Sequence, residues 1–366
     1  VSAFETGQHV HIVGIGGAGM SGLALLLSEM GLVVSGSDAQ ASPVLDELRS
    51  RNIEIFVGHA SNNVEGADVV LWSPAVAGDN VEIAAGRSAG ATLLTRSRAF
   101  YELSQLKPVV GLTGTHGKTT ATSMMVHVTL AAGRDDAWLL GAPVLGVGAN
   151  GHWGQGDLVL EVDESYGTFG ELCPYALGLL NVEADHLDHY GSIEVLEAAF
   201  VSLIDRSSGP VVAWSDDLGL QRVIEGASRA VVTVGTAPEA SWVVSEVLLE
   251  RRGSSFVLTG PDGSLALALR VTGQHNVANA AVVAVLASAL GIDDAKIAEG
   301  LSNFIGAPRR YQYRGEWRGS DVYEDYAHLP GEIMATLKAT IASGYQKPLV
   351  VFQPHRVTRT TALIES

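Results

Sequence analysis

The chain is expected to be an α/β protein built on doubly wound parallel sheets, and three observations carry that expectation. Short apolar runs alternate with helical patterns along most of the 366 residues, the signature of parallel strands joined by crossover helices. Two strand-to-helix turns are rich in glycine, one from Gly14 to Gly19 and one from Gly114 to Gly117. Polar clusters follow other strands, at the sheet edge where open α/β folds bind ligands.

Composition bounds the possibilities. The length suits two or three domains. A net charge of −17 argues against nucleic acid or an anionic membrane as partner, and it requires that an anionic ligand be met by local cations. The single cysteine, Cys173, excludes an internal disulfide framework, suits a reducing cytosol, and reads as a small buried apolar residue. No stretch matches the ~20 apolar residues of a bilayer-spanning helix.

The first unit opens with a strand from His9 to Ile15, the glycine turn, and a helical pattern to Met30. Further strands are read at Leu32 to Ser35, Ile53 to Val57, Asp68 to Trp72 and Ala91 to Leu94. Lys107-Pro108 marks a boundary. The second unit starts with an apolar run from Val109 to Thr113, the second glycine turn, and a helix from Ala121 to Leu130. Its other strands are Leu158 to Val162, Ala176 to Asn181, Val211 to Trp214 and Ala230 to Val234. A β-rich patch from Ser241 to Thr259, with a turn at Pro261-Asp262-Gly263, precedes helices at Asn276 to Leu290 and Asp293 to Ser302. Gly306-Ala307-Pro308 marks the next boundary. Beyond it, strands at Val322-Tyr323 and Leu349 to Phe352 flank a helix from Gly331 to Ala342, the start of a third α/β unit.

Gly114-Thr115-His116-Gly117-Lys118-Thr119-Thr120 has the layout of a phosphate-binding loop, although Leu112 stands where the strict pattern has glycine. Glycines let backbone N–H groups face a polyphosphate at a helix N-terminus. Lys118 supplies charge to terminal phosphates, and the Thr119 hydroxyl suits Mg²⁺. Glu161 sits in an apolar strand and offers the oxygen donor a hard cation needs; Asp163 and Glu164 are equally a solvated acidic turn. Gly14, Gly16 and Gly19, with Asp38 on the next strand, form a dinucleotide-type fingerprint that accommodates UDP as well as NAD. His186 reads as a hydrogen-bonded histidine, because imidazole is a poor match for Mg²⁺. Asn279 serves either a helix cap or a nucleotide contact, and Arg310 either solvent or a phosphate. Arg356 and Arg359 are spaced to grip one carboxylate, or lie on a charged surface.

These stretches together resemble the Mur ligases over essentially the whole chain. The resemblance is carried by Gly14-Ile15-Gly16-Gly17-Ala18-Gly19-Met20-Ser21-Gly22, Gly36-Ser37-Asp38, the loop from Gly114 to Thr120, and Glu161-Val162-Asp163-Glu164-Ser165. It continues through Asn181 to Asp188, Gly273 to Ala280, Asp325 to His328 and Phe352 to Arg359, in that order and spacing. It implies a three-domain architecture. Residues 1–107 would be a Rossmann-like domain for a UDP-linked substrate, 108–311 a central P-loop ATPase-like domain, and 312–366 the start of a truncated, Rossmann-like amino-acid domain.

The resemblance also implies roles. Gly16, Gly17, Ala18, Gly19, Met20, Ser21, Asp38, His59 and Ser73 would surround the UDP substrate. Gly114, Thr115, His116, Gly117, Lys118, Thr119, Thr120, Asn279, Arg310 and Asp325 would bind ATP. Thr119, Glu161 and His186 would hold Mg²⁺, overriding the plainer reading of His186. Tyr326, His328, His355, Arg356 and Arg359 would form the amino-acid pocket, and Lys118, Glu161, His186 and Arg310 would carry catalysis. The implied reaction is ATP-dependent joining of L-alanine to UDP-N-acetylmuramate in the cytoplasm, for peptidoglycan synthesis.

The chain departs from the family pattern at Tyr166, Pro308, Leu329 and Val357, and it ends soon after Arg359. A sibling ligase that recycles a murein tripeptide therefore stays open, as does a non-catalytic UDP-sugar or ATP-binding paralogue. A nicotinamide dehydrogenase is the reading that the first loop alone would suggest; the second loop counts against it.

Overall fold

Buried β-branched and leucine-rich runs form the strands, as expected where both faces of a parallel sheet are covered. In the computed structural model, which describes residues 3–354 except 171, 186, 262 and 329, the first five strands are β1 (His9–Val13), β2 (Val33–Asp38), β3 (Glu54–Val57), β4 (Val69–Trp72) and β5 (Thr92–Thr95). Helices α1 (Ala18–Glu29), α2 (Pro43–Ser50), α3 (Val81–Ala89) and α4 (Arg96–Ser104) connect or follow them. The strand order is β3-β2-β1-β4-β5, all parallel. The order reverses between β1 and β4, which opens a crevice at their carboxyl ends. The glycine turn after β1 and Ser73 after β4 border that crevice, joined where Ser73 N–H donates to the Val13 carbonyl at 3.0 Å.

The second sheet contains β6 (Val109–Thr113), β7 (Ala137–Leu139), β8 (Gly151–His152), β9 (Leu158–Glu161), β10 (Ala176–Leu179), β11 (Val211–Trp214), β12 (Val232–Gly235), β13 (Trp242–Glu250), β14 (Gly253–Gly260) and β15 (Gly263–Leu269). Its helices are α5 (Lys118–Ala131), the single turn α6 (Leu187–Tyr190), α7 (Ile193–Arg206), α8 (Leu218–Gly226), α9 (Gln274–Ala289) and α10 (Asp294–Asn303). The ten strands lie in the order β15-β14-β13-β12-β11-β10-β6-β9-β7-β8. From β13 to β7 neighbours run parallel; β14, β15 and β8 add antiparallel edges. Strand β6 lies between β9 and β10, with Leu112 opposite Glu161 and Thr113 opposite Leu179. That register sets Glu161 on one side of the phosphate loop and Asn181, just past β10, on the other.

The two sheets share one continuous core, in which α1 is buried almost end to end from Met20 to Leu27. On the side facing the central sheet, α1 crosses the β7–β8 hairpin at Gly22 and Gly151. A Cβ at Gly22 would lie 2.8 Å from the Asn150 carbonyl, and one at Gly151 would lie 1.9 Å from the Gly22 carbonyl. Asn150 Nδ2 donates to the Ala18 carbonyl at 2.9 Å and meets Ser21 Oγ at 3.1 Å. The helix that opens at the first glycine turn is thus fixed to the central sheet.

Past Gly306 the chain turns sharply. Arg309 and Tyr311 adopt left-handed φ angles of 55° and 45°. A hairpin of β16 (Gln312–Trp317) and β17 (Ser320–Glu324) and helix α11 (Pro330–Ala342) follow. Among the described residues no helix is long and apolar enough to cross a membrane.

Two expectations need correction. Leu349 to Phe352 forms no strand. Its residues are exposed, Leu349 and Val351 at 93%, and a strand needs a neighbouring strand to satisfy its backbone. Cys173 is exposed, since it lies in the connection leading to β10 rather than in the strand itself. The β-rich patch is three antiparallel strands, the chain reversing between Glu250 and Gly253 and again between Gly260 and Gly263, where the turn was expected. Strands β7, β8 and β16 were not legible from periodicity; the first two are short, and β16 carries Arg314, Gly315 and Glu316.

Candidate functional site

The loop between β6 and α5 is shaped by two glycines with positive φ, Gly114 at 144° and Gly117 at 84°. Each is also pressed by a neighbour: a Cβ at Gly114 would meet Asn181 backbone at 3.0 Å, and one at Gly117 would meet the Asn279 amide at 2.9 Å. Asn181 clamps the loop on both sides, accepting from His116 N–H at 2.7 Å and donating to the His116 carbonyl at 3.0 Å. Thr115 and Glu183 are similarly joined, Glu183 N–H donating to Thr115 Oγ1 at 2.9 Å.

Lys118 folds over this loop. Its Nζ donates to the Gly114 carbonyl (2.8 Å), the Thr115 carbonyl (3.1 Å) and Glu164 Oε2 (2.7 Å), and lies 3.9 Å from Asp163 Oδ1. Burial opposes its charge, but Glu164 and Asp163 outweigh burial and hold its pKa above the ordinary lysine value. Burial likewise works against the Asp163 carboxylate, yet Lys118, Ser165 and Arg96 pull it down to about 2. Thr119 Oγ1 donates to Glu161 Oε1 at 2.9 Å, and Glu161 Oε2 accepts from Gly141 N–H at 2.7 Å. A hydroxyl and a carboxylate side by side at a phosphate loop are hard oxygen donors of the kind Mg²⁺ takes alongside phosphate oxygens and water. No cluster of three or more His, Cys, Asp or Glu that would hold a metal by itself occurs among the described residues.

A cavity of about 210 Å³ adjoins the loop. It gathers His116, Asn279, Arg310 and Asp325, all expected around ATP, from four separate stretches of the chain. His275 forms one wall; burial and the nearby Arg310 lower its pKa to about 4, so its imidazole is neutral. Asp325 is engaged by the turn, accepting from Tyr311 N–H at 2.7 Å and Ala327 N–H at 2.6 Å. Glu332 of α11 faces the cavity and contacts Arg310 at 3.4 Å and His116 at 3.5 Å. Glu183 approaches His116 from the other side at 3.2 Å. Although burial opposes its protonation, these two acids raise the His116 pKa to about 9. Glu332 is desolvated too, but His116, the His328 amide and Arg310 depress it to about 2. His116 was expected for its position in the loop; its two acidic partners were not expected, and no spacing signal announces them.

The first glycine turn has a different character. Gly14 has φ 79° and packs against Ser73. Gly16 N–H donates to Asp38 Oδ2 at 3.0 Å. His59 Nδ1 lies 2.8 Å from the fully buried Glu82 carboxylate and 3.0 Å from Ser37 Oγ. Gly17 and Ala18 open α1. Two residues expected to meet the UDP substrate turn inward: Met20 is 2% exposed in the core, and the Ser21 hydroxyl donates to the Ala18 carbonyl. Arg96, at the start of α4, was missed by sequence reading. It bonds Asp163 Oδ2 at 3.2 Å and reaches to 3.5 Å from where a Gly19 Cβ would stand.

Tyr326 and His328 lie next to Arg309 and Glu332, with Arg309 over the Tyr326 ring at 4.6 Å and His328 Nδ1 3.4 Å from Glu332. Thr120 lines the cavity. His186, His355, Arg356 and Arg359 lie outside the described residues.

A sheet with the 3-2-1-4-5 order is joined through its first helix to a second sheet whose β6–α5 turn has the layout of a phosphate loop, an α/β architecture of the nucleotide-binding type. Comparison with known proteins gives the family. Residues 9–107 match the Mur ligase family catalytic domain and residues 155–287 the Mur ligase middle domain. UDP-N-acetylmuramate–L-alanine ligase of Bordetella petrii is 37% identical, aligned over 98% of this chain and 80% of its own length. The enzyme of that name from Burkholderia cenocepacia is 39% identical over 96% and 78%. The crystal structure of UDP-N-acetylmuramate–alanine ligase from Thermotoga maritima superposes with a TM-score of 0.85 at 33% identity, covering 97% of this chain and 83% of that one. The chain belongs to the Mur ligase family, whose members are ATP-dependent ligases.

Proposed function

We propose that this protein joins L-alanine to the lactyl carboxylate of UDP-N-acetylmuramate, at the expense of ATP, in cytoplasmic peptidoglycan precursor synthesis. The observation that carries the reading is the constellation at the phosphate loop, Lys118 bonded to the loop carbonyls and Thr119 bonded to Glu161, in a chain similar along nearly its full length to ligases of that name. Residues 1–107 hold the UDP-linked substrate, 108–311 the ATP, and the segment from 312 begins the amino-acid domain.

A free carboxylate is a poor electrophile, so it must be activated first. The lactyl carboxylate attacks the γ-phosphoryl group, ADP leaves, and an acyl phosphate forms. The alanine amine then attacks the acyl carbon, and phosphate departs from a tetrahedral intermediate. Lys118 releases its loop carbonyls to neutralise the γ-phosphate, and the loop N–H groups hold the remaining oxygens. Mg²⁺ at Thr119 and Glu161 would supply further neutralisation of the triphosphate. Arg310 and Asn279 orient the nucleotide in the adjoining cavity, against the neutral His275. Tyr326 and His328 are the described members of the amino-acid pocket, to which the resemblance also assigns His355, Arg356 and Arg359.

The test is phosphate release from ATP in the presence of UDP-N-acetylmuramate and each of several amino acids. Alanine-dependent release supports the reading. Release only with a murein tripeptide points to the sibling activity, and nucleotide binding without turnover points to a binding protein; either result overturns it.

A further inference from the structure

Arg96 connects the two glycine loops. Its Nη2 donates to Asp163 Oδ2 at 3.2 Å, and Asp163 Oδ1 lies 3.9 Å from Lys118 Nζ. On the other side, a methyl group at Gly19, in the first turn of α1, would stand 3.5 Å from Arg96 Nη1. The guanidinium carbon lies 5.9 Å from the Phe100 ring centroid, and the side chain is 16% exposed. Its Nε is buried and has no hydrogen-bond partner among the described residues. An orphaned donor on a half-buried guanidinium is costly unless something else completes it.

The surroundings indicate what completes it. Lys118 is ringed by Glu161, Asp163 and Glu164, so any carboxylate approaching a phosphate there meets like charge. The diphosphate of a sugar nucleotide is served by the backbone N–H groups and helix dipole of the first loop. The lactyl carboxylate must reach from the first loop to the γ-phosphate at the second. Arg96 stands between the two loops, beside Gly19 on one side and, with Lys118, against Asp163 on the other. Building on the function proposed above, we infer that Arg96 is a specificity-determining residue that grips the carboxylate of the lactyl-bearing sugar nucleotide and guides it past Asp163 to the γ-phosphate. Guanidinium suits the task because its forked donors match a carboxylate while another N–H keeps Asp163 in place.

The test compares two sugar nucleotides that share uridine, diphosphate and N-acetylated sugar but differ in the carboxylate: UDP-N-acetylmuramate and UDP-N-acetylglucosamine. Affinities are measured by calorimetry for the unsubstituted protein, Arg96→Gln and Arg96→Lys. Arg96→Gln should weaken UDP-N-acetylmuramate about ten-fold or more, the usual scale for losing a charge-assisted hydrogen bond, and leave UDP-N-acetylglucosamine and the ATP KM within about two-fold. Arg96→Lys should recover part of the loss, and it carries the same comparison if the glutamine variant melts early. Equal weakening of both sugar nucleotides, or no weakening of either, overturns the inference. If the unsubstituted protein itself binds neither, the parent reading fails first and this one with it; binding by the parent with an unchanged variant sinks this inference alone.

Discussion

The two glycine loops use the same backbone device to different ends. Each follows a buried strand, turns through glycine of positive φ (Gly14 at the first, Gly114 and Gly117 at the second) and opens a helix. At the first loop, Gly16 N–H is held by an acid, Asp38, and the buried Glu82 carboxylate behind it is bonded by Ser37, His59 and Asn63. At the second, a lysine with its charge secured by Glu164 and Asp163 stands within the loop, and a hydroxyl–carboxylate pair stands beside it. On the function proposed above, the first arrangement would hold an anion through fixed dipoles, and the second would concentrate ionic charge where bonds to phosphorus break. The difference teaches that a phosphate-binding turn by itself specifies binding, and that the charges the neighbouring strands bring to it specify transfer.

Replacing Lys118 with Ala should break the contrast most severely. Alanine-dependent phosphate release should fall by about 10³-fold or more, on the scale seen when a preorganised electrostatic group is removed. Calorimetric affinity for UDP-N-acetylmuramate should change little, and a comparable loss there would show that the loops are not separate. Glu161→Gln is next. The Mg²⁺ concentration for half-maximal rate should rise about ten-fold or more, and an unchanged metal titration would remove Glu161 from that role. Gly22→Val acts where α1, the helix opened by the first loop, crosses the central sheet, because the new Cβ would press on Asn150 at 2.8 Å and Leu139 at 2.9 Å. Unfolding experiments should show a loss of about 1–3 kcal/mol, with weaker binding of the sugar nucleotide than of ATP.

The smallest effect concerns pH. His116 has its pKa raised from 6.5 to about 9, and Glu332 has its own lowered to about 2. The stabilisation tied to His116 is complete below pH 6.5 and is lost as pH rises through about 9. Glu332 stays ionised throughout that window. The melting temperature should therefore decline between pH 7 and 10 with a component that His116→Gln removes; equal slopes in both proteins would show that the contact contributes nothing.

Much of this was readable beforehand because it is written locally. Buried strands such as Val211–Trp214 are continuous apolar runs, and the phosphate loop spells its own turn and its own lysine. Glu161 was recognisable as a carboxylate at the end of such a run, and the register opposite Leu112 explains why that position faces the loop. What escaped reading is what the topology assembles. Glu183 and Glu332 reach His116 from the end of β10 and from α11, and Arg96 reaches Asp163 across the junction of two sheets. Nothing in the spacing of these residues marks them as partners. Leu349 to Phe352 failed for the opposite reason: its composition is that of a strand, but pairing is decided by a neighbour and not by the run itself.

The turn that delivers Arg310 has a cost of its own. Arg309 and Tyr311 both sit where a side chain crowds the backbone, a penalty of about 1–2 kcal/mol each, and they are kept there by the Asp325 carboxylate and by Tyr326 N–H on the Arg309 carbonyl. Glycine at either position would sturdy the chain and slacken the guanidinium between them. A more robust protein with a poorer grip on its nucleotide is the expected product, so selection for thermal endurance alone would tend to blunt this enzyme.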